Sequence, residues 1–478
     1  MDLNHLDFLH YISPNPMAAA APKHLRRSIV DLRNNYPEHF GRFIMALKNL
    51  INSDDWARIC GIHGATFKPK DPGVKCPTDS AIVTEIGETG EPFYCKHGVY
   101  SFIAWHAPYV YQFELLLNKY NRSSNKDYIT LPWLDLTDFS ADYSFLNDPE
   151  ISILYERHRL TTENPLACAY YYVDGVRTRT TRNGFLSPTT KKQRSQLNMV
   201  AKQLNNALYA PNYEQFSSSP TTYTPSNVVV NYVPLETPHN SLHDIIGGKT
   251  GNMSSIDIAA FDPVFWLHHC NMDRHYYTWA HNATEGFTKS LYPDLMHEKT
   301  HDEHCAPFFK NYIYSEDYTR YKWGWTNESG EYMQVGDVLQ LYRFPYTYDL
   351  IKPAPKTPLG AFIELIDITI PRESVEFDAY IHLKGADLDR EADYAGSAFW
   401  FGINRDNIDC CRCNVGRTNI KIDIEEFAKL RGLSASNIGN YEVIIEANGL
   451  LIKNESGEHT TYGERTFGGS RQIVFGSA

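Results

Sequence analysis

The chain of 478 residues carries a net charge of −12, with 42% hydrophobic and 21% charged residues. That length suits one large domain or two to three ordinary ones, and the abundance of Tyr and Phe suits a large aromatic core. The acidic balance argues against broad binding to nucleic acid or to an anionic membrane surface.

At the N-terminus, MDLNHLDFLHYISPNPM shows no basic segment followed by an apolar run, and no apolar stretch reaches the ~18 residues of a membrane span. Nine cysteines, an odd number without framework spacing, favour a reducing compartment. A cytoplasmic protein without membrane contact is expected. Residues 24–51 read as helical, because Phe40, Phe43, Ile44, Leu47, Leu50 and Ile51 recur at three- and four-residue spacing. His63 follows in CGIHGAT, beside a glycine-flanked turn. After a polar loop over 66–90, Phe102 to Leu117 has the density of a buried helix, with His106 inside it. His97 precedes that helix by more than a turn and belongs to the connecting loop, with Cys95 two residues before it. Pro108, just past His106, is expected to kink or reset the helix.

The richest stretch runs from Glu236 to His275. His239 and His243 occupy positions i and i+4, which share one helical face. Asp262-Pro263 opens a second helix with a capping carboxylate and a proline at the first helical position. That helix presents His268 or His269. Asp273 lies four residues past His269, within reach of its free ring nitrogen, where a metal-bound histidine usually finds a carboxylate or carbonyl. His275 reads as a surface or packing residue. An HxxxH pair alone is more often a coincidence than a metal site. The upstream histidines change that balance. Two triads, His63/His97/His106 and His239/His243 with His268 or His269, would converge inside a helix bundle. All-imidazole ligation suits copper, iron or zinc, and the lack of carboxylate or thiolate ligands tilts towards copper. A three-histidine zinc hydrolase is the alternative from another class.

The segments CGIHG, YCKHG, FIAWHAPYVYQFE, PHNSLHD and FDPVFWLHHCNMDR resemble, in order, the two copper-binding regions of the tyrosinase, catechol oxidase and haemocyanin family of type-3 copper proteins. The resemblance implies two copper ions with O2 bound between them: copper A on His63, His97 and His106, copper B on His239, His243 and His269. His268 and Asp273 then stand behind the ligands, and Phe265 stacks near the site. Cys95 matches the cysteine that forms a thioether to the loop histidine in many members, here His97; a free buried thiol is the alternative. Glu236 and Asn240 fall where members hold a water that deprotonates an incoming monophenol, whose pKa near ~10 otherwise keeps it neutral. The plain alternative is that both merely decorate a helix start. The base reading favours tyrosinase over a pure catechol oxidase. Asp244 occupies a position that tunes substrate choice, and its charge should favour amines over carboxylates. Ile256 is the candidate gate over the copper-A side. Ala107 stands where the family often has arginine.

Tyr346-Thr347-Tyr348 resembles the Tyr-x-Tyr element that closes the catalytic domain against an N-terminal arginine, here Arg26 or Arg27. DLIKPAPKTP (349–358) is a Pro/Lys-rich linker open to an activating protease. Beyond it, AFIELIDITI, SVEFDAYIHLKG, GSAFWFGIN, TNIKIDI, YEVIIEANG and SRQIVFGS alternate at period two, as in a β-sandwich or barrel. This half resembles the C-terminal domain of fungal tyrosinases, which shields the copper site until it is cut away. Phe399 and Phe401 are candidates to cover the site, with plain strand core as the alternative. Cys410, Cys411 and Cys413 form a soft thiolate cluster suited to copper loading from a donor.

The expected architecture is a mainly α four-helix-bundle copper domain (1–348), the linker (349–358) and a smaller β-sandwich domain (359–478). The expected activity is o-hydroxylation of monophenols and oxidation of o-diphenols to o-quinones by O2. A catechol oxidase and a haemocyanin-like O2 carrier are the alternatives. Small phenols, an activating protease and a copper donor are the expected partners, and a homo-oligomer is compatible with the chain.

Overall fold

The structure, a computed structural model, describes residues 24–64, 95–173, 176–218, 233–284, 304–309, 332–338, 344–355, 360–369, 373–402, 417–452, 460–462, 465–467 and 470–475. Among them no helix is long and apolar enough to cross a membrane.

Residues 24–51 form three elements rather than the one helix expected. Strand β1 (His24–Arg26) leads to α1 (Ile29–Asn35), where the Ser28 hydroxyl caps the helix by accepting Asp31 N–H at 2.9 Å. The helix stops at Tyr36, since a residue before proline avoids helical backbone. Pro37 then opens α2 (Pro37–Ile51), which buries Phe40, Phe43, Ile44, Leu47 and Leu50. The bundle continues with α3 (Asp54–Gly61), α4 (Phe102–Lys119), α5 (Lys191–Ala207), α6 (Glu236–Gly247) and α7 (Pro263–Thr284). Helix α4 is buried on every side from Phe102 to Asn118, as an all-round apolar helix should be. Pro108 does not end it. Packing on all sides, including Tyr109 Oη donating to Ile59 O at 2.6 Å and Phe113 stacked on Trp266 at 3.9 Å, offsets the missing N–H. Helix α7 starts as its sequence predicts, with Asp262 Oδ1 accepting Val264 N–H at 2.9 Å.

The two ends of this helical part are tied together by one buried arginine. β1 pairs in parallel with β2 (Tyr346–Tyr348). Arg26 donates to Glu114 on α4 at 2.7 Å, to Asp273 on α7 at 3.1 Å and to Tyr348 Oη at 2.6 Å, and its guanidinium lies 3.5 Å from the Tyr346 ring centre. Arg27 instead stacks on Tyr36 and pairs with Asp31. Asp273 is therefore committed to Arg26 and Tyr348, not to His269 as the spacing suggested. Arg26→Met would strand Glu114 and Asp273 as buried carboxylates without their cation. Chemical denaturation should show a loss of about 3–5 kcal/mol.

His275 is a packing residue. It is buried and donates Nδ1–H to Asn271 O at 2.9 Å, and burial pushes its pKa down from 6.5 to about 4. In the unfolded chain it gains a proton below pH 6.5, whereas the folded chain resists until about pH 4. Stability present at higher pH is therefore lost through that window, by about 1.4 kcal/mol per pH unit. Urea unfolding between pH 7 and 4 should show a shallower acid loss for His275→Gln.

After the linker, strands β3 (Ala361–Thr369), β4 (Val375–Leu383), β5 (Tyr394–Trp400), β6 (Arg417–Asp423), β7 (Tyr441–Ala447), β8 (Leu450–Ile452) and β9 (Ser470–Phe475) build two sheets. One has the order β5-β4-β7-β8 and the other β6-β3-β9. They enclose a second core around Ile363, Phe377, Ile381, Ile422 and Ile445, with the short helix α8 (Glu425–Arg431) beside it. The alternating segments thus fold as a small β-sandwich against the helical part. Phe401, and Phe399 in part, leave it to join the first core. The linker is exposed at Leu350 and Pro355, yet its Ala354 is held by Asn205 and Tyr209 near the end of α5.

Candidate dinuclear metal centre

Six histidines from five places in the helical part meet in its core. His63 comes from the turn after α3, His97 from the loop before α4, and His106 from α4. Their ring centres are 5.4–5.7 Å apart. His239 and His243 come from α6 and His269 from α7, with ring centres 4.5–5.5 Å apart. The triads abut, since His106 stacks on His269 at 4.4 Å.

Four of the six imidazoles are held at Nδ1 so that Nε2 faces inward. His63 Nδ1–H donates to Ile256 O (2.8 Å), His106 Nδ1–H to Phe102 O (2.7 Å), His239 Nδ1–H to Asn240 Oδ1 (2.9 Å) and His243 Nδ1–H to Met253 O (2.7 Å). These acceptors fix the tautomer and leave Nε2 as a lone pair. Burial pushes the His63 pKa down to about 3, and burial with neighbouring imidazoles pushes His106, His239, His243 and His269 well below the ordinary range. All are neutral rings, the form that binds metal.

The inward atoms crowd without protons to share. His269 Nε2 lies 3.2 Å from His239 Nε2 and 3.3 Å from His243 Nε2. A single proton on His269 could satisfy only one of these contacts. His63 Nε2 is buried with no hydrogen-bond partner. A cation in each triad would meet every lone pair, so the donor set fits two metal ions held by imidazole nitrogen. Cys95 joins the first set, with Sγ 3.0 Å from His97 Nδ1 and 3.5 Å from His106 Nε2. His268 joins the second, stacked 5.0 Å from His239, with Nε2 unpartnered and its pKa pushed by burial to about 3.

Residues 53–282 match the family described as the common central domain of tyrosinase. The chain belongs to the tyrosinase family. It is 29% identical over 308 residues to a tyrosinase of Podospora anserina, covering 55% of this chain and 52% of that protein. The chain spans about half the length of the curated relatives it first matches. Its fold is shared with recombinant mushroom tyrosinase (TM-score 0.63, 17% identity, 95% of this chain and 93% of that one). It is shared equally with deoxygenated hemocyanin from Rapana thomasiana (TM-score 0.59, 17% identity, 95% and 100%). The chain is thus a type-3 copper protein of the tyrosinase family, and its two histidine sets fit two copper ions.

Around this tyrosinase-family centre the remaining candidates separate. Phe265 is fully buried against His269 (4.2 Å) and His63 (4.8 Å). Phe401 stacks on His243 at 4.2 Å and faces His97 at 5.5 Å. Glu236 sits on the first turn of α6, where its carboxylate accepts Gly98 N–H at 2.7 Å and the Ser218 hydroxyl. It thereby ties the His97 loop to α6. Asn240 orients His239. Asp244 is buried beside Ser254, Ser374 and Glu376, and burial holds its carboxyl well above the usual carboxylate range. Ile256 acts through its backbone: its carbonyl holds His63 while its N–H donates to Gly402 O of the β domain at 3.1 Å. Gly64 permits that contact, since a Cβ there would lie 2.4 Å from the Ile256 oxygen. Sequence reasoning missed the carbonyl anchors; of these, Phe102, four residues before His106 on one helix, was within reach of it. Cys410, Cys411 and Cys413 lie outside the described residues.

Proposed function

We propose that this chain is a latent tyrosinase, which hydroxylates monophenols at the ortho position and oxidises o-diphenols to o-quinones with O2. The observation that carries this is the pair of imidazole triads with one aromatic ring of the β domain, Phe401, lying over His243. Copper bound by His63, His97 and His106 and by His239, His243 and His269 would supply electron exchange with O2. The residues do the rest. The carbonyls of Ile256, Phe102 and Met253 hold three rings by their Nδ1–H, and Asn240 holds a fourth, so that these four keep their lone pairs on the centre. Phe265 and Trp105 keep water from the walls of the centre. Glu236, with Asn240, takes the phenol proton through a water, since a phenol with pKa near ~10 must ionise before it is hydroxylated. The exposed linker offers itself to an activating protease, and small phenols enter once the β domain is displaced.

Cys95 and His97 are read as a thioether pair. Bond formation would remove the thiol hydrogen and one ring hydrogen with two electrons, reducing one O2 to hydrogen peroxide. It would pin the one ligand that no helix carries. Peptide mass spectrometry of copper-loaded protein should find Cys95 and His97 cross-linked and lighter by two hydrogens; a free, alkylatable Cys95 after turnover would exclude the bond.

The deciding experiment is O2 uptake by copper-loaded protein with tyramine and with catechol, before and after cleavage of the linker. Uptake with both after cleavage supports the proposal. Catechol alone being oxidised would make the chain a catechol oxidase and remove the base role of Glu236. O2 binding without turnover of either would make it a carrier.

A further inference from the structure

Charged groups on α5 join the β domain to the helical part. Lys192 Nζ, near the start of α5, lies 2.6 Å from Asp378 and 3.1 Å from Glu376, both on β4. Gln196, one turn on, donates to Glu376 at 2.6 Å. Lys202, towards the other end of α5, lies 2.7 Å from Asp423 at the end of β6 and also pairs with Glu425 of α8. Each lysine sits between two carboxylates that would otherwise repel each other. Both ammonium groups remain partly open to solvent, at 37% and 17% of side-chain exposure, where dissolved ions reach them. Beside these clamps stand single hydrogen bonds, Ser374 Oγ to Ser254 O at 2.6 Å and Ile256 N–H to Gly402 O. Among the described residues of the β domain, only Phe399 and Phe401 enter the first hydrophobic core.

We propose that α5 is an ionic latch: the β domain lifts reversibly from the uncut chain when the two lysine clamps are screened or broken, and linker cleavage only makes that opening permanent. The proposal rests on reading the β domain as the cover of the histidine centre. It gives charge a larger part than covalent continuity. The linker itself is pinned to α5 through Ala354, so a cut there leaves the clamps intact and the two parts together at low ionic strength.

The Ile256 amide reports the event directly, because its acceptor belongs to the β domain. Hydrogen exchange of the 252–258 segment is compared between the uncut wild type and Lys192→Glu/Lys202→Glu, with small-angle scattering and O2 uptake on catechol alongside. Exchange at Ile256 should be at least about tenfold faster in the variant, equivalent to ~1.4 kcal/mol of lost docking. The radius of gyration should rise, and uptake should move towards that of cleaved wild type at ~1 M sodium chloride. Sodium chloride at ~1 M, where the screening length is ~3 Å, should move the wild type in the same direction. Lys202→Glu combined with Glu425→Lys should exchange more slowly than Lys202→Glu alone. A folded double variant that stays compact and exchanges as slowly as wild type overturns the latch. Should that variant not fold, wild type unmoved by salt overturns it as well. Cleaved wild type that takes up no O2 even at ~1 M sodium chloride, where the clamps are screened, would count against the oxidase reading alone, while exchange still decides the latch.

Discussion

Phe401→Ala in the uncut chain lowers the KM for catechol by roughly 10- to 100-fold and leaves kcat nearly unchanged. The ring is 4% exposed and lies 4.2 Å from the His243 ring at 25° between planes, in the place where a small phenol would stack. Burying such a side chain is worth ~1.5–3 kcal/mol, and a stacked aromatic contact adds ~0.5–1.5 kcal/mol. The ring therefore swings clear in only about one chain in thirty or fewer, and apparent affinity falls by that fraction. Removing it restores the fraction without touching the histidines. Phe399→Ala is the control, since Phe399 packs on the same core without reaching the imidazoles closely. It should change KM little. Bulky diphenols gain less from Phe401→Ala than catechol does, because the rest of the β domain still stands over the entrance. An unchanged KM for catechol would show that access is limited elsewhere, at the docking of the domain itself.

How far the chain could be read before folding depended on whether a relation was local. His239 and His243 at i and i+4, the Asp262-Pro263 start of α7 and the alternating strands beyond residue 360 are written in neighbouring letters, and the structure places them as read. Arg26 against Tyr346 and Tyr348 was legible only through the resemblance, because it joins residues far apart in the chain. Local rules misled where tertiary packing outweighed them. Pro108 sits inside a helix that continues through it, and Asp273, correctly spaced from His269, is claimed by a buried arginine instead. Other features had no side-chain signature at all. The Ile256 link is made of backbone atoms at both ends, and the clamps of Lys192 and Lys202 join residues roughly two hundred positions apart. Phe399 and Phe401 share a face by strand period, so the sequence could not say which reaches the centre. β5 ends at Trp400, and Phe401 steps beyond it onto His243.

The adjacent histidines of α7 give the sharpest test of the centre. His269→Gln is expected to bind one copper per chain instead of two and to lose more than ~10³-fold of catechol oxidation by the cleaved protein, since an open triad no longer completes the pair. His268→Gln should still bind two coppers, with affinity weaker by ~10- to 100-fold, as when a residue behind a ligand is changed. The two side chains lie in the same buried cluster, so proximity does not separate them. Direction does. His269 Nε2 approaches His239 Nε2 and His243 Nε2 at 3.2 and 3.3 Å, and its ring stacks on His106 of the other triad. It thus touches both sets at once. The His268 ring lies flat against His239 at 5.0 Å, and its Nε2 makes no hydrogen bond. A ring in that place supports the orientation of His239 by contact. Metal analysis after dialysis, with circular dichroism to show that both variants fold, separates the alternatives. One copper in His268→Gln and two in His269→Gln would exchange their roles, and with them the assignment of the second triad.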